Sequence, residues 1–478
     1  MSFSPSMKEF CGVFAIYNHP DAARLAYLGL YALQHRGQES AGIVSSDGDQ
    51  VYRHVGLGLV ADVFSNPRLF TGLKGHLAIG HNRYSTTGSN SIANAQPLAI
   101  NYHGGALAMA HNGNLVNSRT LRSQLENSGS IFASSSDTEV ILHLIAKSQQ
   151  KTPEARLQEA LLQVRGAYSL VCLTEDSIIA ARDPNGFRPL CIGRKEKATL
   201  VASESCAFDL LEADYIRDVE PGEIIVINAA GMKSYKLPAA QKVTQCIFEF
   251  IYFSRPDSRI FGEYVDKTRR KLGRALAEER PCPTADIVIS VPDSSNTAAL
   301  GYAHESGIPY DMGLIRNHYI GRTFIHPSQD MREFNVRIKF NTVGGVLRGK
   351  RVVVVDDSIV RGNTLRKLTE LIRNAGAAEV HLRISSPPIK YPCFFGMDFP
   401  KRRDLIAAYN TVEQVRESLH VDSLQYLSVE KMLSAVPVGR CGYCTCCFTG
   451  EYPVEIDEAY HKFLHEHSSP ILELDFRS

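Results

Sequence analysis

The chain has 478 residues, too many for one hydrophobic core, so two domains are expected. Its 44% hydrophobic and 22% charged residues are ordinary for a globular protein, and 52 basic against 51 acidic side chains leave a formal net charge of +1. That balance offers no electrostatic footprint for nucleic acid, and no apolar run approaches the length that spans a bilayer.

Residues 1–10, "MSFSPSMKEF", lack the basic and apolar regions of a secretory signal and the Arg-rich pattern of a transit peptide, so a cytoplasmic protein is expected. Eleven cysteines, without an export signal, point away from structural disulfides and toward metal or catalytic roles.

In chain order, "CGVFAIYN", "AGIVSS", "HLAIGHNRYS", "ALAMAHNGNL", "AYSLVCLT", "SIIAARD" and "EIIVINAA" predict strands. Helices are expected in "AARLAYLGLYALQHRG" and "SDTEVILHLIAKS". This first half is α+β, with antiparallel strands. From about residue 265 apolar strands alternate with helices: "DKTRRKLGRALAEE", "DIVISVPDSS", "NTAALGYAHESG" ending at Gly307, "RVVVVDDSIVRGNT", "TLRKLTELIRNAGA" and "EVHLRISS". That alternation predicts a parallel α/β sheet. The divisions are 1–10, 11–240, a linker at 241–264, 265–465, and a weakly patterned tail at 466–478.

The stretch "VVVVDDSIVRGNT" puts Asp356 and Asp357 at the C-terminal end of a fully apolar strand, where open α/β sheets bind ligands. Ser358, Arg361, Gly362, Asn363 and Thr364 then lead into a helix whose first N–H groups suit a phosphate. The two acids would repel phosphate, so sugar hydroxyls or Mg²⁺ are their expected partners. An isolated Asp-Asp pair is most often an exposed loop, but this one sits in a full strand–loop–helix context. The stretch resembles the signature of type I phosphoribosyltransferases, which bind phosphoribosyl pyrophosphate (PRPP). The resemblance implies that Asp356 and Asp357 hold the ribose hydroxyls or Mg²⁺, that residues 358–364 cradle the 5-phosphate, and that Ser294 in "SVPDSSNTAA" is a further metal-linked position. Between the loops, 314–340 is an aperiodic basic insertion, expected to be a lid using some of Arg316, Arg322, Arg332, Arg337 and Lys339.

Cys11 alone would be an ordinary core thiol. Removal of residues 1–10 would give it a free α-amine, a base titrating near ~8. Arg83 in "HNRYSTTG" could pair with an α-carboxylate, Asp137 in "SSSDTEV" with an α-ammonium, and Asn112 with the Gly113 N–H in "HNGNL" could stabilise an oxyanion. Singly, Asn-Gly is more often a turn and a strand Arg a surface charge. Together with "CGVF" and "LQHRGQESAGI", which contains Arg36, these segments resemble class II glutamine amidotransferases over residues 11–235. That family has an N-terminal-nucleophile hydrolase fold in αββα layers. The resemblance implies Cys11 as nucleophile, residues 1–10 as propeptide, Asn112 and Gly113 as oxyanion hole, and Arg83, Asp137 and Arg36 as glutamine-binding residues.

"RCGYCTCCFTGEYP" packs Cys441, Cys444, Cys446 and Cys447 together, with CxxC spacing between Cys444 and Cys447. Cys246 and Cys393 could complete four ligands, and zinc, a cluster or a redox disulfide are all open to such a set. The whole order of segments resembles the amidophosphoribosyltransferase family. The resemblance implies one [4Fe–4S] cluster on Cys246, Cys393, Cys444 and Cys447, Mg²⁺ as second cofactor, a homotetramer, purine-nucleotide feedback, and synthesis of 5-phosphoribosylamine from PRPP, glutamine and water. No nucleic-acid or membrane partner is expected. Cys172, Cys191, Cys206 and Cys282 are expected to be ordinary thiols. An amidotransferase making glucosamine 6-phosphate would lack the PRPP loop, and a PRPP-sensing DNA-binding regulator would need a basic module.

Overall fold

The computed structural model describes residues 11–83, 91–317, 339–397, 402–437 and 442–456. Strands β1 (Gly12–Tyr17), β2 (Ser40–Ser46), β3 (Val51–Leu57) and β4 (Leu77–Arg83) join β9 (Cys191–Lys195), β10 (Ala198–Ala202) and β11 (Asp214–Asp218) in one seven-stranded sheet. Its order is β11-β9-β10-β1-β4-β2-β3, antiparallel throughout. A second, six-stranded antiparallel sheet holds β5 (Leu98–Tyr102), β6 (Gly105–Leu115), β7 (Gly166–Leu173), β8 (Ile178–Arg182), β12 (Glu223–Asn228) and β13 (Gly231–Lys236).

The sheets stack face to face. Val13, Ala15 and Ile79 of the first pack against Ala108, Ala110 and Val171 of the second. Outside them, Ala22–Ala32 covers the first sheet, while Thr138–Lys147 and Pro153–Leu161 cover the second. Four layers result, helix–sheet–sheet–helix. With both faces covered, β7 and β8 are buried at every residue, which explains their continuous apolar sequence.

The chain then passes through β14 (Thr244–Cys246), a π-helical turn Glu249–Phe253, and a short hairpin of β15 (Arg259–Ile260) and β16 (Glu263–Tyr264). Beyond it, β17 (Ile287–Ser290), β20 (Arg351–Asp356), β21 (Glu379–Ile384) and β22 (Ser423–Tyr426) form a parallel sheet of order β17-β20-β21-β22. The four valines of β20 alternate between two cores: Val352 and Val354 enter one, Val353 and Val355 the other. Each such burial contributes about 1.5–3 kcal/mol, so a run of valines suits this strand. The second core is shared at the junction, where Phe248, Phe250 and Phe253 pack with Ala167 and Phe187 of the first domain and with Cys393 and Cys447.

The segment 314–340 departs from the aperiodic expectation at its ends. Leu314–Arg316 (β18) and Phe340–Thr342 (β19) pair as an antiparallel ladder, and Arg316 bonds Asp293 at 3.0 Å. Arg322, Arg332 and Arg337 lie outside the described residues, as do the expected propeptide, Cys441 and the tail 466–478.

Candidate active sites

Cys11 immediately precedes β1, a central strand of the first sheet, and is 5% exposed. The register pairs Gly12 with Asn82, which brings Cys11 to the level of Arg83 at the end of β4; Arg83 is buried too. Two residues back along β4, His81 Nε2 meets the carbonyl of His111 at 3.1 Å, tying this end of the first sheet to β6 of the second. Residues 112 and 113 follow directly on β6, so Cys11, Arg83, Asn112 and Gly113 share one end of the stacked sheets.

Asn112 is fully buried, and neither Nδ2 nor Oδ1 has a hydrogen-bond partner among the described residues. Gly113 has φ of +155°, and a Cβ there would stand 2.0 Å from the Ala167 carbonyl oxygen, so only glycine fits beside that amide. Asp137, on the loop before Thr138–Lys147, accepts from the Leu115 N–H at 2.9 Å and stands 3.6 Å from His111 Nδ1. Burial opposes its ionisation, but His111 and the backbone donors prevail and hold its carboxyl below the usual range.

Arg36 reaches Cys11 through the Cys11 backbone. Its Nε donates to the Cys11 carbonyl at 3.3 Å, Nη1 to Glu204 and Glu249, and Nη2 to Glu249 at 2.8 Å. The guanidinium is fully buried and turned onto these carboxylates. Sequence reasoning missed both of its partners and the buried Arg188, which bonds Glu249 at 3.0 Å and the Phe395 carbonyl at 2.9 Å.

In the second domain, Asp356 ends β20 and Asp357 follows, at the C-terminal edge of the parallel sheet. Ser294 Oγ donates to Asp357 at 2.5 Å, and Ser295 Oγ to Asp356 at 2.9 Å, so the structure brings the two expected loops together. Burial, followed by the Asp357 charge, pushes the Asp356 carboxyl well up; burial also raises Asp357. A cation or sugar hydroxyls placed there would relieve both. The oxygen-only donors fit Mg²⁺ of the kind held by one or two carboxylates and substrate phosphates. Among the described residues, no three His, Cys, Asp or Glu side chains surround one ion position. Ser358 is buried beside Asp357 and donates to it at 2.6 Å. Gly362, at φ +76°, turns the chain into the helix Asn363–Asn374, placing Asn363 and Thr364 in its first turn. Arg361 meets Asp404 at 3.2 Å.

The cysteines converge at the junction. Parallel pairing of β14 with β23 (Gly442–Cys444) sets Cys246 opposite Cys444. Cys447 lies on the short helix Cys446–Thr449, and its carbonyl accepts from Lys390 and Tyr391 N–H groups, both at 3.0 Å, which brings Cys393 alongside. The Phe395 N–H donates to Cys393 Sγ at 3.4 Å. Burial disfavours a Cys393 thiolate, but a hydrogen bond from Cys446 and the nearby Arg188 bring its pKa down to about 6. Four buried thiols with N–H and guanidinium support are a donor set that fits an iron–sulfur group. The additional Cys446 stands with its Sγ 3.4 Å from that of Cys444.

A layered antiparallel domain with this cysteine end, followed by a parallel domain with this acidic loop, defines a glutamine amidotransferase joined to a phosphoribosyltransferase. The glutamine amidotransferase domain profile matches residues 81–209, and the phosphoribosyl transferase domain profile matches 274–385. The amidophosphoribosyltransferase of Bacillus subtilis (strain 168) is 51% identical, over 94% of this chain and 95% of its own. A solved structure described as the allosteric regulatory enzyme of purine biosynthesis superposes with a TM-score of 0.90 at 50% identity, covering 94% of this chain and 97% of that one. The glutamine PRPP amidotransferase of B. subtilis, complexed with ADP and GMP, superposes with a TM-score of 0.88, covering 94% and 98% of the two chains. The chain therefore belongs to the amidophosphoribosyltransferase family, glutamine-dependent enzymes that transfer nitrogen to PRPP in the first step of purine biosynthesis. Its fold is an N-terminal-nucleophile glutaminase followed by a type I phosphoribosyltransferase domain.

Proposed function

We propose that Cys11 is the nucleophile releasing ammonia from glutamine, and that the loop 356–364 is where that ammonia meets PRPP. One observation carries the reading: the Asn112 amide is fully buried, without a partner among the described residues, beside a position that admits only glycine. An unsatisfied buried amide costs about 1–3 kcal/mol, which a hole for a transient oxyanion accounts for.

Once residues 1–10 are removed, the Cys11 thiol passes its proton to the free α-amine as sulfur attacks the glutamine amide. Asn112 and the Gly113 N–H hold the oxyanion, and the α-ammonium returns the proton as ammonia leaves. Water then cleaves the glutamyl thioester to glutamate. Arg83 takes the substrate carboxylate and the ionised Asp137 its ammonium, while Arg36 fixes the Cys11 carbonyl. Ammonia must travel unprotonated, because ammonium has no lone pair to attack C1 of the ribose.

At the second site Ser358, Arg361, Gly362, Asn363 and Thr364 hold the 5-phosphate. Asp356 and Asp357 face the ribose hydroxyls, with Ser294 fixing Asp357. Mg²⁺ on these carboxylates would neutralise the departing pyrophosphate. Cys246, Cys393, Cys444 and Cys447 would carry one [4Fe–4S] cluster, whose iron–sulfur bonds would tie the junction to the C-terminal segment.

The divisions 11–240, 241–264 and 265–465, a homotetramer and a cytoplasmic location complete the proposal; among the described residues, no helix is long and apolar enough to cross a membrane. Feedback by purine nucleotides is supported by the B. subtilis relative complexed with ADP and GMP. The test is the denatured intact mass of the purified protein with its iron and sulfide content. A chain beginning at Cys11 that carries iron and sulfide is expected; an active enzyme retaining Met1–Phe10 would overturn the N-terminal mechanism.

A further inference from the structure

Cys446 lies outside the four-cysteine set, yet at 2% exposed it is buried more deeply than Cys444 at 8%. Its side-chain hydrogen-bond partners among the described residues both belong to that set. The Cys446 Sγ stands 3.4 Å from that of Cys444, and a further hydrogen bond joins it to the Cys393 thiol. A thiol placed by packing alone has other company: the buried Cys191 donates to the Ala202 carbonyl at 3.3 Å.

The backbone sets the Cys444 and Cys446 sulfurs beside one position. Cys444 ends β23, Thr445 makes the turn, and Cys446 opens the short helix that also carries Cys447. With the sulfurs already in contact, exchanging their places asks for rotation of the two side chains and not for movement of β23, which its pairing with β14 holds. Each iron of a four-iron cluster takes one thiolate, and two sulfurs in contact cannot serve two separate corners. Cys444 and Cys446 are therefore alternatives for a single corner.

We propose that Cys446 is a stand-in ligand, taking the iron of Cys444 whenever that bond breaks. This rests on the reading of Cys246, Cys393, Cys444 and Cys447 as a cluster site. In the exchange Cys446 gives up its thiol proton as its sulfur bonds iron, and Cys444 takes that proton across the sulfur–sulfur contact as its own iron bond breaks. No electron changes hands, so no oxidant or reductant is needed.

The test is made on the full-length protein, purified without oxygen, by iron and sulfide content and by the visible absorbance of the cluster. Cys444→Ala is expected to keep at least about half of the unsubstituted content, whereas the double variant Cys444→Ala/Cys446→Ala and the single variant Cys447→Ala fall below about a tenth. A Cys444→Ala protein as empty as the double variant overturns the proposal, and so does a double variant that keeps its cluster. A second measurement leaves all four ligands in place, and it decides the matter where Cys444→Ala is insoluble. Under an iron chelator, Cys446→Ala and Cys446→Ser should both lose the cluster about tenfold faster than the unsubstituted protein. Loss at the unsubstituted rate in either variant overturns the proposal; in Cys446→Ser alone it marks a residue that acts only by hydrogen bonding to its neighbours. An unsubstituted protein without iron and sulfide overturns the cluster reading instead.

Discussion

Replacing Asn112 by Ala should lower activity while leaving stability nearly unchanged. The side chain is fully buried and its two polar atoms have no partner among the described residues, so the substitution breaks no hydrogen bond seen in the folded state. An unsatisfied buried polar group costs about 1–3 kcal/mol, which truncation relieves, set against lost packing of similar size. Stability should therefore change by no more than about 1 kcal/mol, and a urea titration reads this directly. Removing one oxyanion donor should lower glutamine-dependent kcat by about 10²–10³-fold, or about 2.7–4 kcal/mol. Synthesis from added ammonia, which bypasses Cys11, should persist. A variant that unfolds with large loss of stability would assign Asn112 to the scaffold. A loss of less than about tenfold in glutamine-dependent kcat would refute its oxyanion role.

Three other outcomes are expected. Asp357→Asn should lose synthesis with glutamine and ammonia alike while stability holds or rises, because it removes a buried charge beside Asp356; steady-state kinetics and thermal melting check both. Glu204 is buried, and although burial opposes its charge, His35 and Arg36 hold its carboxyl far below the ordinary range. Its contribution is thus present above the unfolded value of about 4.3 and lost as pH falls toward the folded one, so Glu204→Gln should flatten the acid limb of stability against pH. At neutral pH the same substitution should cost about 3–5 kcal/mol. Leu382→Ala, in the fully buried middle of β21, should lower unfolding stability by about 2–5 kcal/mol in denaturant titrations.

The strands that were legible are those that folding buries over most of their length. Val352–Val355 and Gly166–Leu173 announce themselves because both faces are covered. Val51–Leu57 does not, since its side chains are half-buried or exposed and its sequence mixes charge with apolar residues. Thr244–Cys246 and Gly442–Cys444 are too short to carry a period, and only their pairing reveals them. The acidic loop was legible for a local reason: strand, carboxylates and helix start are contiguous in sequence. The partners of Arg36 were not, because Glu204 and Glu249 lie 168 and 213 residues further along. The turn at Glu249–Phe253 is likewise hidden within an aromatic run that the sequence presents only as a linker.

The most direct measurement of the central claim is the nitrogen-source split of Cys11→Ala. The account predicts that glutamine-dependent synthesis falls by at least about 10³-fold, while synthesis from ammonia at a pH that supplies free base continues. Equal loss with both nitrogen sources, in a protein that remains folded, would contradict the division of labour between Cys11 and the loop at Asp356–Asp357.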